Sequence, residues 1–77
     1  MKRYTITKDF LENTPRPTQR PEQTLKFRLK DDDGQVYFEG YMVPNQSERL
    51  FEPLDEFGEG YGCTSIEIRE LGKWVQV

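Results

Sequence analysis

The clearest periodicity in the chain is "TLKFRLK", where Leu25, Phe27 and Leu29 alternate with Lys26, Arg28 and Lys30. A period of two puts the apolar side chains on one face of a strand and the cations on the other, the pattern of a half-buried antiparallel strand. "DDDG" follows as turn chemistry, since Asp and Gly tolerate the positive φ of tight hairpins, and "QVYFEGYMV" returns as a second strand. Two registers satisfy the pattern. A two-residue Asp33-Gly34 turn pairs Leu29 with Phe38 and Arg28 with Glu39, whereas a four-residue loop pairs Leu29 with Val36 and Phe27 with Phe38. They differ by an even slip, so both keep the apolar faces together and the pattern does not choose between them.

Upstream, Tyr4, Ile6 and Phe10 alternate with Arg3, Thr5, Thr7 and Asp9 as an opening strand; the part from Lys8 to Asn13 has the alternative of closing as a helical turn capped by Thr7. Residues 13–24 hold three prolines and no large apolar residue, and read as an extended surface connection that buries too little to order itself strongly. Downstream, "NQSERLFEPLDEFGEGYG" is turn-rich, with room for one helical turn near Ser47–Phe51, and "TSIEIRELGKWVQV" reads as a closing hairpin. A bulged three-residue loop Glu70-Leu71-Gly72 sends Trp74 to the face of Ile66 and Ile68. A plain two-residue turn at Leu71-Gly72 sets Trp74 beside Arg69 instead. The bulge is preferred, because Leu is poor at positive φ. The expected architecture is mainly β: one domain over residues 1–77, a small antiparallel sheet of four to five strands built from two hairpins, with little helix.

Composition narrows the chemistry. The chain has 77 residues, one cysteine and no histidine, which excludes an intramolecular disulfide and removes the commonest general base and transition-metal ligand together. Five Phe, four Tyr and one Trp make a small core credible without staples. No stretch approaches a membrane span, and the basic start "MKRYTITKDF" lacks the apolar run of a signal peptide, so the expectation is a cytoplasmic protein without membrane association. Net charge is only −3, but residues 1–30 hold eight Lys/Arg against three Asp/Glu while residues 31–59 hold one against nine. Such asymmetry bears on partners if folding keeps the blocks apart.

Each candidate for chemistry has a plainer reading. If Gly34 sat at the sixth position of a calcium loop, the end ligands would be Leu29 and Gly40, which supply no carboxylate; Asp31, Asp32 and Asp33 are better read as an acidic hairpin turn. Glu52, Asp55, Glu56 and Glu59 lack anything to hold two of them across a cleft at a hydrolase's spacing. Cys63 has neither a histidine nor a neighbouring cation to activate it, and Ser47 and Ser65 lack a base. Gly58, Gly60 and Gly62 enclose Glu59, which repels phosphate, so they read as turn glycines. The reading is therefore non-enzymatic, with no cofactor and no metal. The best nucleic-acid feature is Lys26, Arg28 and Lys30 beside Tyr37 and Tyr41, although net charge and the flanking aspartates oppose it.

The run "FRLKDDDGQVYFEGY…FEPLDEFGEGYGCTSIEIRELGKWVQV" resembles a group of small uncharacterised bacterial, prophage and phage proteins with an F-R-x-x-D-D-D-G-x-x-Y-x-E-G hairpin, then F-x-P-L-D-x-F-G, G-C-T-x-I and a closing G-K-W. The resemblance covers residues 27–74 and its motifs carry no known chemistry. It implies a phage-type protein that works by occupying another protein's surface, as anti-CRISPR and anti-restriction inhibitors do. On that expectation the chain folds Phe51, Leu54 and Phe57 back over the sheet, with Pro53 setting the entry. Asp31, Asp32, Asp33, Asp55, Glu56 and Glu59 then offer carboxylates to a host protein or nucleoprotein complex as a DNA mimic, with Tyr37 and Tyr41 as aromatic anchors. The alternatives are a small nucleic-acid-binding β domain using the Lys26/Arg28/Lys30 face, and a structural or assembly homodimer through a sheet edge or the Val75–Val77 end.

Overall fold

A computed structural model describes residues 3–44 and 49–77. Five strands, β1 (Tyr4–Asp9), β2 (Leu25–Lys30), β3 (Val36–Met42), β4 (Ser65–Glu70) and β5 (Lys73–Gln76), form one antiparallel sheet in the order β1-β3-β2-β4-β5. Among the described residues helix is short: α1 (Glu52–Glu56), a 3₁₀ turn (Gly58–Tyr61) and 3₁₀ backbone at Arg49. The expected helical turn near Ser47–Phe51 falls partly outside the described residues; within them Arg49 is in a 3₁₀ turn, and α1 begins after Phe51, where Pro53 suits a first turn that needs no N–H donor. Ser47 itself lies outside the described residues.

Alternation along the strands segregates the faces. Tyr4 and Ile6, Phe27 and Leu29, Phe38 and Met42, and Ile66 and Ile68 are all buried in a single cluster with Cys63. The segment after β3 covers this face. Leu50, Leu54 and Phe57 pack on the cluster, Pro53 is fully buried, and Phe38 meets the Phe57 ring edge-on at 4.8 Å and the Tyr61 ring at 5.0 Å. Phe51, expected to join them, is 44% exposed. At the sheet centre Gly40 stands between Ile6 and Phe27. A Cβ there would meet the Thr5 carbonyl oxygen and lie 2.7 Å from Phe27 Cζ, so only glycine admits the Phe27 ring over β3.

The first hairpin has the Leu29–Phe38 and Arg28–Glu39 pairs of the shorter-turn register, but not its turn. A bulge after Leu29 pairs Lys30 with Val36, leaving Asp31–Gln35 as the loop. Asp31 organises it: its carboxylate accepts from the Asp33 and Gln35 amides, and Gly34 takes φ +82°.

β1 and β2 both run antiparallel to β3 on opposite sides, so the connection between them must cross back over. It leaves β1 in a turn held by Asp9, whose carboxylate accepts from Leu11 N–H, Glu12 N–H and the Thr14 hydroxyl; Asp9, not Thr7, supplies the cap. Those hydrogen bonds, the Thr14 one foremost, hold the exposed Asp9 carboxyl below its ordinary range. The proline-bearing stretch that follows is mostly exposed, but Gln23 is buried, accepting hydrogen bonds from the Thr5 hydroxyl at 2.7 Å and the Arg20 amide at 2.8 Å.

The closing hairpin corrects the bulged reading. Glu70 pairs with Lys73 and Arg69 with Trp74, so the loop is the two-residue Leu71-Gly72 turn, with φ +50° and +77°. These are the signs of a type I′ turn, whose twist matches that of the strands. Leu71 pays the left-handed backbone penalty while fully exposed. In return Trp74 leaves the Ile66/Ile68 face and lies between Arg28, at 4.2 Å from the ring centroid, and Arg69, at 5.3 Å. Asn tolerates this backbone far better, so Leu71→Asn should raise the urea unfolding midpoint, by about 0.5–1 kcal/mol in stability. A lowered midpoint would mean that the loop is not of this type.

Candidate functional surfaces

The face of the sheet opposite the core carries the basic stripe, and the strands neutralise it in register. Glu39, Arg28, Glu67 and Gln76 stand in one cross-strand row. Arg28 Nε donates to Glu67 at 2.6 Å, Lys30 Nζ reaches the same carboxylate at 3.4 Å, and Lys26 lies 3.7 Å from Glu39. Burial alone would raise the Glu67 carboxyl, but the hydrogen bonds and charges of Arg28 and Lys30 outweigh it and hold Glu67 below the usual carboxylate range. Tyr41 is half-buried in the next row between Thr5 and Lys26, with Lys26 Nζ 5.9 Å from its ring.

The acidic candidates are spread over three elements, and two of them are already engaged. Asp31 accepts from the Tyr37 hydroxyl as well as from the loop amides; burial opposes this, yet the hydrogen bonds hold its carboxyl below the ordinary value. Tyr37 is raised in turn, first by that bond to Asp31. Glu56, on α1, accepts from the Tyr4 hydroxyl, and burial followed by this contact pushes Tyr4 up to about 12. Asp32, Asp33, Asp55 and Glu59 are exposed and form no ion pair with a described residue. Asp32 and Asp33 share one end of the sheet with Glu59: Gly58 packs against Leu29 and Cys63, and Thr64 N–H bonds the Lys30 carbonyl. Asp55 is on α1, the element that precedes the 3₁₀ turn.

Cys63 is 4% exposed, and burial, with the Asp31 charge second, pushes its thiol up to about 11. A thiol held neutral and covered is a packing residue. Among the described residues no three acidic or cysteine side chains gather as a metal site, and no helix is long and apolar enough to cross a membrane. Ser47, weighed as a nucleophile, lies outside the described residues. Two features went unread in the sequence. The Trp74–Arg28 stack depended on the turn type, and the anchoring of the crossover by Gln23 has no local signature.

No family model, curated protein or solved structure matches the chain.

The shared carboxylate makes a pH-dependent prediction. A lowered carboxyl contributes stability that is present above its unfolded value near ~4.3 and is lost as pH falls through the folded value. Glu67→Gln should therefore cost on the order of 1 kcal/mol in urea unfolding at pH 7. The gap to the parent should close as the pH falls below the folded value. A gap independent of pH would show that Glu67 acts through packing alone.

Proposed function

We propose that this protein is a non-enzymatic binding module, a phage-type inhibitor that presses exposed carboxylates onto a basic, nucleic-acid-handling host complex. The observation carrying the reading is an imbalance in how the charges are used. Among the described residues five cations, Arg3, Lys26, Arg28, Lys30 and Arg49, are paired by three carboxylates, Glu39, Glu52 and Glu67. The pairing takes up the stripe that would have recommended nucleic acid and leaves acids outward. Asp32, Asp33 and Glu59 form the contact, with Asp55 beside them, and charge complementarity with a basic groove supplies rate and selectivity. Tyr37 fixes the turn through Asp31, and Glu56 is tied to Tyr4. Tyr41 lies at the other end of β3 from the turn, outside this contact.

One observation favours a second reading. Trp74 against Arg28 and Arg69 sets an aromatic ring among cations on an open sheet face, a combination used by single-strand binders. Affinity capture from a bacterial lysate with active defence systems separates the two. The acidic reading expects one stoichiometric host complex, released by double-stranded DNA and absent with D32K/D33K/E59K at an unchanged thermal midpoint. Capture of that complex by the reversed variant would sink it. Salt-sensitive retention of single-stranded DNA by the parent would transfer the case to the open face.

A further inference from the structure

The crossover between β1 and β2 leaves a groove of about 360 Å³ along β1, lined by Tyr4, Ile6, Phe57, Arg16, Thr18 and Arg20 among others. Its charged lining residues are two arginines, in a chain of net charge −3. Neither forms an ion pair with a described residue. Both are held by the fold. Arg16 Nε donates to the Ile6 carbonyl at 3.4 Å, and its guanidinium lies 5.3 Å from the Phe57 ring centroid. One of the five N–H donors of a guanidinium is thereby used for placement. The Arg20 backbone is clamped at both ends by Gln23, which is itself bonded to Thr5 of β1.

We propose that this groove binds a small oxyanion, a carboxylate or phosphate carried on an apolar group. Arg16 and Arg20 meet the anion, and the apolar part rests on the Phe57, Tyr4 and Ile6 side. Guanidinium forks match both oxyanions, and charge-assisted hydrogen bonds of this kind are among the stronger ones. The volume sits at the lower end of small-ligand pockets, roughly 300–1,000 Å³, and suits a one-ring compound rather than a folded partner. The groove is built on the crossover and β1; Glu56, bonded to the Tyr4 hydroxyl, stands beside its lining, whereas Asp32, Asp33 and Glu59 do not line it.

The test is a titration of the isotope-labelled protein followed by amide resonances, with phenyl phosphate, inorganic phosphate and N-acetylphenylalanine as probes. The proposal expects saturable shifts at Tyr4, Thr5, Ile6, Thr18 and Arg20 with phenyl phosphate, and inorganic phosphate weaker by about tenfold for want of the ring. Tighter binding of N-acetylphenylalanine would point to a chain-terminal carboxylate as the source, and tighter binding of phenyl phosphate to a free phosphate ester. Arg20→Gln, which keeps the backbone bonds to Gln23, should weaken binding about tenfold, and R16Q/R20Q should abolish it. D32K/D33K/E59K should bind as the parent does. The proposal is overturned if no probe gives saturable shifts at these residues, or if Arg20→Gln binds like the parent.

Discussion

The structure depends on covering one face of a single sheet with one short piece of chain. A five-stranded antiparallel sheet with alternating side chains cannot keep Phe27, Leu29, Phe38 and Ile66 dry by itself. The segment from Leu50 to Cys63 supplies the second layer, and its composition follows from that task. Pro53 and Cys63 go inward and Leu54 and Phe57 pack on the cluster, while Gly58 allows close approach, a Cβ there falling 2.9 Å from Leu29 Cδ1. The intervening Asp55, Glu56 and Glu59 are exposed, with Glu56 also reaching the Tyr4 hydroxyl.

The same alternation determines the electrostatics. Once Leu25, Phe27 and Leu29 point toward the core side, Lys26, Arg28 and Lys30 share the opposite face, where register sets Glu39 and Glu67 beside Arg28. A basic stripe in one strand is thus answered by acids in its neighbours, and its reach into solvent is short. Among the described residues, the charges outside ion pairs include Lys8, Arg69, Glu70 and Lys73 on strands, and others are on connections such as the Asp31–Gln35 loop, the covering segment, and the crossover with Arg16 and Arg20. The exposed carboxylates and the two arginines from which binding is proposed lie on such connections, where scaffolds commonly carry recognition.

Much of the sheet was legible because alternation is a strong, local signal. β2, β3 and β4 stand where the alternation of Leu25–Lys30, Val36–Met42 and Ser65–Glu70 indicates. The position of β1 on the far side of β3 was not legible, since it rests on the Tyr4–Met42 and Ile6–Gly40 pairs and on a crossover anchored by Gln23. The closing turn misled for an energetic reason. The left-handed penalty on Leu71 is about 1 kcal/mol, and strand twist together with the stacking of Trp74 on two guanidinium groups offsets it. Charge pattern along the chain likewise hid which acids would be free, since the Tyr37 and Tyr4 hydroxyls claim Asp31 and Glu56 across long sequence distances or around a turn.

The central claim is that the covering segment is part of the core, not an appendage to a self-sufficient sheet. Equilibrium urea unfolding of Phe57→Ala, followed by Trp74 fluorescence and far-ultraviolet circular dichroism together, addresses it most directly. The account predicts one coincident transition shifted by about 3 kcal/mol, because removing Phe57 opens the surface over Phe38. A shift near zero, or a sheet signal that persists after the segment has come away, would contradict it.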